Sequence, residues 1–162
     1  PVFRVRFVTD NMRVIMSRKR KTIHIVLAVI IVSALCFIWI NSIMPGDVSG
    51  GFSRMITVFA QKLFGDNIVI TEHRIRKLAH GLEFALLGVV FSLFWFEKLK
   101  NRVVLIEFCG LFAALCDETI QLFSDGRTSQ VKDIWIDFTG FTAGVILIGL
   151  IYVIFGRHNK KE

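Results

Sequence analysis

Between Lys21 and Asp47 the chain runs for 25 residues without an Asp, Glu, Lys or Arg. Wound as an α-helix, such a run reaches about 37 Å, more than the roughly 30 Å hydrocarbon core of a bilayer. A second run of 19 such residues separates Asp137 from Arg157. A chain of 162 residues, 54% of them hydrophobic and only 20% charged, cannot hide that much apolar surface inside a soluble domain. The same composition excludes intrinsic disorder. The 16 Phe and 3 Trp against 2 Pro suit helices packed in lipid.

Two membrane spans follow directly: span one at about 22–43, ending at Pro45-Gly46, and span four at about 132–155. Two further apolar stretches have spanning length but carry charge near one end. Residues 77–96 contain His80 and Glu83, and residues 103–123 contain Glu107, Asp117, Glu118 and Gln121. Their length makes them spans two and three, joined by the short basic turn 97–102. In the loop after span one, Phe52, Met55, Ile56, Phe59, Ala60, Leu63 and Phe64 recur at spacings of three and four, which predicts a short amphipathic helix lying in the interface, with Ser49 or Ser53 at its start. The expected fold is thus all-α: a polytopic bundle of four transmembrane helices plus that interfacial helix. A basic tail over 1–21, a transmembrane domain over 22–155 and a second basic tail over 156–162 make up the chain.

Topology follows from Lys and Arg. With the N-terminus inside, the inner segments hold 13 of these residues and the outer segments and their borders seven. Acidic residues divide the other way, four inside and nine outside. The bias predicts a multi-pass cell-membrane protein with both termini cytoplasmic. Residues 17–36 are too long an apolar run for a signal peptide and have no small-residue cleavage site after them, so an uncleaved anchor is expected; Met12 and Met16 are candidate start residues. The net charge of +7 reflects this membrane asymmetry rather than a nucleic-acid surface, because its strongest cluster abuts an apolar run. Cys36, Cys109 and Cys116 form no CxxC pair and read as small packing residues.

That topology gathers the costly residues in one leaflet. Arg76, His80 and Glu83 lie at the outer end of span two, Asp117, Glu118 and Gln121 at the outer end of span three, and Asp133 and Asp137 at the outer end of span four. Residues three or four apart share a helix face, so positions 76, 80, 83 and 87 form one stripe and 133, 137, 140 and 144 another. Gly140 and Gly144 permit close helix approach just below the two aspartates, as Gly110, Ala113 and Ala114 do below Asp117. Each charge in the hydrocarbon region costs about 2.5–3.5 kcal/mol on insertion scales, so an intramembrane cluster is a functional hypothesis first. The competing reading is a set of interfacial charges that clamp helix ends. Lys77 and Lys132 read as snorkelling anchors. Glu107 is expected to pair with Lys98 or Arg102, and His24 carries no expectation of function.

The chemistry open to these residues is limited. His80, Glu83, Asp117 and Glu118 are the catalytic candidates, with His80 as general base oriented by an acid. Arg76 and Arg127 suit a phosphate or carboxylate, with Gln121, Asp133 and Asp137 completing a ligand-binding set. No motif supports a nucleophile among Ser49, Ser53, Thr128 and Ser129. Metal ligation has weak support, since the cluster has one His and the His80-Gly-Leu-Glu83 order reverses the Glu-x-x-His of bundle di-metal sites; no cofactor is assigned. The lack of a deep inner-leaflet counterpart argues against a channel.

Arg76-Lys77-Leu78-Ala79-His80, with Glu83-Phe84 and Leu87-Gly88, resembles the first signature of the VanZ-like membrane proteins. Asp117-Glu118 with Gln121 and Phe123, then Gly126-Arg127, resembles the second, and Asp133, Asp137 and Gly140 complete the pattern. Phe84 stands where Tyr is usual and Asp125 where Pro is usual. The resemblance implies a bacterial cytoplasmic-membrane protein acting near the cell envelope. A link to glycopeptide resistance rests on the resemblance alone, the family being named after a protein associated with teicoplanin resistance. The expected function is an outward-facing polar pocket that binds or processes an envelope component, such as a lipid-linked precursor or anionic head group. The alternatives are a non-enzymatic bundle that limits antibiotic access or assists a partner protein, and a metal-dependent membrane hydrolase.

Overall fold

The structure is a computed structural model that describes residues 2–45, 55, 58, 72–127 and 129–158, with side chains over 18–45, 74–127 and 129–154 and at residues 55 and 58. All regular structure among the described residues is helical: α1 (Val2–Ile43), α2 (Glu72–Phe94), a 3-10 turn (Phe96–Lys98), α3 (Leu99–Gln121) and α4 (Val131–His158). The segments Arg18–Ile43, Arg74–Phe94 and Val131–Ile154 are each long and apolar enough to cross a membrane. The 23 residues of α3 have spanning length as well, about 34 Å, but carry Glu107, Asp117 and Glu118 along their face. The interfacial helix expected over 52–64, with its capping candidates Ser49 and Ser53, lies outside the described residues except for the helical Met55 and Val58.

Helix α1 runs unbroken through the basic stretch into the apolar run, 42 residues in all. Its end precedes Pro45, whose ring removes a donor and disfavours helix in the residue before it. The turn between α2 and α3 is tighter than the expected 97–102 loop. The Trp95 amide donates to the Phe91 carbonyl at 3.2 Å, the Lys98 amide donates to the Trp95 carbonyl at 2.8 Å, and α3 begins at Leu99. Lys100 and Arg102 are good helix formers and continue the helix rather than the loop. Arg20 of α1 pairs with Glu97 in this turn at 2.9 Å, and His24 meets Phe94 edge-on with centroids 5.3 Å apart. The basic part of α1 and the α2–α3 turn therefore share one end of the bundle.

Helices α2 and α4 make the most extensive contact and run side by side in the same direction. A Cβ on Gly140 would strike the Gly81 carbonyl, and one on Gly144 the Ala85 carbonyl. The expected small-residue pair on α4 thus meets a second one, Gly81 and Ala85, on α2, and the two backbones touch. Phe141 fills the centre with no exposure; its ring occupies the space a side chain on Gly110 would take, and its carbonyl abuts Gly88. Phe84, Leu87, Ile106, Ala114 and Val145 complete this core. Glu107 accepts a hydrogen bond from Thr142 of α4 at 2.9 Å instead of pairing with Lys98 or Arg102. Arg102 lies over the Trp95 ring, 5.1 Å from its centroid.

The outward faces are apolar. Leu78, Leu82 and Leu86 on α2, Val104, Phe108 and Phe112 on α3, and Ile146, Leu150 and Ile154 on α4 are all exposed. They recur every four residues, opposite the packed stripe, and form a belt far too large for a water-facing surface.

Candidate functional site

Because α2 and α4 run together and α3 runs against them, the first turns of α2 and α4 converge with the last turn of α3. Residues of four elements surround a cavity of about 30 Å³ at that end of the bundle. Arg76, Lys77 and His80 line it from α2, Glu118 and Gln121 from α3, Asp133, Ile136 and Asp137 from α4, and Arg127 from the α3–α4 loop. A space of this size accommodates about two water molecules or a small ion. Asp117 and Glu83 sit beside this lining, each near the His80 ring: Nδ1 lies 3.9 Å from Asp117 Oδ2 and 3.8 Å from Glu83 Oε2. All nine sequence-predicted site residues therefore meet at one end.

The deepest member is Asp117, fully buried. Ser42 near the C-terminal end of α1 donates to its Oδ1 at 2.6 Å, and Gln121, one turn along α3, donates to Oδ2 at 2.7 Å. Glu118 points the other way around α3 and accepts from the Ser129 hydroxyl at 2.6 Å and the Gln130 amide at 3.2 Å. Lys77 forms an ion pair with Asp133, tying α2 to α4, so it belongs to the site rather than acting as a snorkelling anchor. His80 is only 8% exposed, and among the described residues neither its Nδ1 nor Glu83 Oε2 has a hydrogen-bond partner. The 3.8–3.9 Å separations are too long for hydrogen bonds.

The loop between α3 and α4 closes the site. Gly126 adopts a left-handed φ of 71°, a conformation open to glycine, and turns the chain back. Arg127 then reaches α1, donating to the Asn41 carbonyl at 2.5 Å and the Met44 carbonyl at 3.0 Å, while Ser124 donates to the Ile43 carbonyl at 2.9 Å. These carbonyls belong to the last turn of α1 and the residue that follows it, where no further helix satisfies them and the negative end of the helix dipole lies. Burial, with the charge of Arg76 added, draws the Arg127 guanidinium below its ordinary value, while Asp117, Glu118 and Glu83 pull it back; a guanidinium stays charged throughout.

Ser42 and Lys77 are the members that sequence reasoning missed. The signal for Ser42 was present: Asn41-Ser42 is a polar pair at the C-terminal end of an otherwise apolar run. Ser129, considered as a nucleophile, instead donates to Glu118. Ser49, Ser53 and Thr128 lie outside the described residues.

His80, Asp117 and Asp137 each place one ligand-type atom within 4.8 Å of the others, and all three residues are buried. The set can hold a cation, relay a proton or orient an anion against Arg76 and Arg127.

No curated protein and no solved structure matches this chain. The family model described as VanZ/LLP1 matches residues 25–154, which takes in the end of the bundle where α2, α3 and α4 converge and all nine predicted site residues. That match covers most of the sequence, and the chain belongs to the VanZ/LLP1 family.

Proposed function

We propose that this protein is a multi-pass membrane protein whose polar cluster faces outward and binds or processes an anionic head group of a cell-envelope component, such as a lipid-linked precursor. In this reading all four helices span, both termini are cytoplasmic, and the bundle end that carries the Arg20–Glu97 pair faces the cytoplasm. The observation that carries the reading is the convergence of buried His80, Asp117 and Asp137 from three helices beside the cations Arg76, Lys77 and Arg127. Three separate helices each accept an intramembrane charge costing about 2.5–3.5 kcal/mol, which helix-end clamping does not require. The cavity is water-sized, so an oxygen of the head group enters it while the rest of the group lies at its mouth against Arg76. A link to glycopeptide resistance is the narrower form of this proposal.

Native mass spectrometry of the detergent-purified protein with a polyprenyl phosphate tests it. The wild type should retain the anionic lipid at lower concentration than a neutral lipid of equal chain length, and Arg76→Ala should erase the difference. Equal retention of both lipids by the wild type refutes the reading.

The second reading, a non-enzymatic bundle that shields a target or supports a partner protein, draws on the bonds from Arg127 and Ser124 to α1, which would serve a static scaffold equally well. It predicts that site variants lose any cellular phenotype only in proportion to lost protein abundance.

A further inference from the structure

Cations line the cavity, yet among the described residues none of them bonds the two deepest carboxylates directly. Lys77 is engaged by Asp133, and Arg127 by the carbonyls of α1. Among the described residues, no lysine or arginine forms an ion pair with Asp117 or Asp137, which are 0% and 2% exposed. A buried carboxylate is neutralised by a proton, paired with a cation or coordinated to one. His80 supplies an independent observation. Its side chain is nine-tenths buried, it lines the same cavity, and its Nδ1 has no hydrogen-bond partner.

We propose that His80, Asp117 and Asp137 ligate a divalent transition-metal cation of the zinc or manganese class. The donor set is one imidazole nitrogen and two carboxylate oxygens, which suits borderline cations better than calcium or magnesium. Bonds of about 2.1 Å in a tetrahedral arrangement separate donors by about 3.4 Å. The three ligand atoms already lie within 4.8 Å of one another, so closure needs little more than side-chain rotation. Ser42 and Gln121 each donate to an oxygen of Asp117, fixing that carboxylate as outer partners of a ligand do. Glu83 Oε2, 3.8 Å from the His80 nitrogen and without a hydrogen bond, stands beside the set. Among the described residues three protein ligands converge, which leaves one position of a tetrahedral ion open to water or to the head-group oxygen. The helices thus supply through three separate spans what a bundle di-metal site draws from Glu-x-x-His repeats.

This inference rests on the cavity of the proposed function, but its test uses no lipid. Purified wild-type protein is loaded with zinc or manganese chloride, dialysed and analysed for metal content. One tightly held ion per chain is expected, with X-ray absorption of the zinc form giving one imidazole, oxygen ligands and no sulfur. His80→Ala and Asp137→Asn should each weaken zinc binding by about 100-fold or more, beyond the effect of losing an outer partner, and His24→Ala should not. Loss of both metals on dialysis, sulfur or purely oxygen ligation in the wild type, or unchanged affinity in the folded variants overturns the proposal. The wild-type spectrum decides the matter even if a variant fails to fold. Metal binding without selective lipid retention upholds this inference and sinks the head-group reading; the reverse result does the opposite.

Discussion

The hydrogen bond from Ser42 to Asp117 offers a quantitative test of how the site is held. Ser42 is fully buried, and its hydroxyl lies 2.6 Å from Oδ1. Replacing it with alanine removes the donor where no bulk water can substitute. In soluble proteins a hydrogen bond to a charged group contributes about 1.5–3 kcal/mol, whereas interhelical bonds inside membranes average about 0.6 and reach about 1.7 kcal/mol, because the separated helices find other partners. The short distance and the carboxylate acceptor place this bond near the upper membrane value, about 1.5 kcal/mol. Gln121 still donates to Oδ2, although its longer 3.4 Å bond to the Ser42 oxygen is lost with the hydroxyl. The assay is a double-mutant cycle of Ser42→Ala and Asp117→Leu, each of which removes the bond, with unfolding followed in mixed micelles. A coupling energy near 1.5 kcal/mol is expected. A value within about 0.5 kcal/mol of zero, the additivity expected of non-interacting sites, refutes the pairing and with it the docking of α1 on the site.

Gly140→Ala should lower the stability of the folded bundle by about 1–3 kcal/mol, because its Cβ meets the Gly81 carbonyl rather than a side chain that can move aside; unfolding in detergent checks this, with Gly149→Ala, whose Cβ would meet nothing, as the neutral control. Single cysteines at the exposed positions Asn101 and Asp125, introduced after replacing Cys36, Cys109 and Cys116, should react with a membrane-impermeant maleimide from opposite faces, Asp125→Cys from outside in intact cells. Labelling of both positions from the same side would overturn the topology.

Much of the site was legible because helical geometry is a strong constraint. Residues 76, 80 and 83 recur at one helix face, and so do 133 and 137, so once the apolar runs fixed the direction of each span, the ends that meet were fixed too. The Gly140 and Gly144 pair marked the close contact, although its partner surface, Gly81 and Ala85, went unread. Side-chain pairing across helices was not legible, because it depends on the rotation of each helix about its axis. Lys77 faces Asp133 rather than the interface, and Glu107 faces Thr142 rather than Arg102. Ser42 escaped notice for a related reason. A lone hydroxyl in an apolar run usually bonds its own helix, as Thr119 and Thr139 do here, and only the arrival of Asp117 from α3 gives it another partner.

The bonds from Arg127 and Ser124 to the last turn of α1 give the first helix a hold on the chemistry of the other three. Its apolar stretch is exposed along most of its length and packs little against the other helices, so those bonds are a large part of what seats it. Any shift of α1 would carry with it the carbonyls that hold Arg127, so where that guanidinium sits depends on how the first helix is seated.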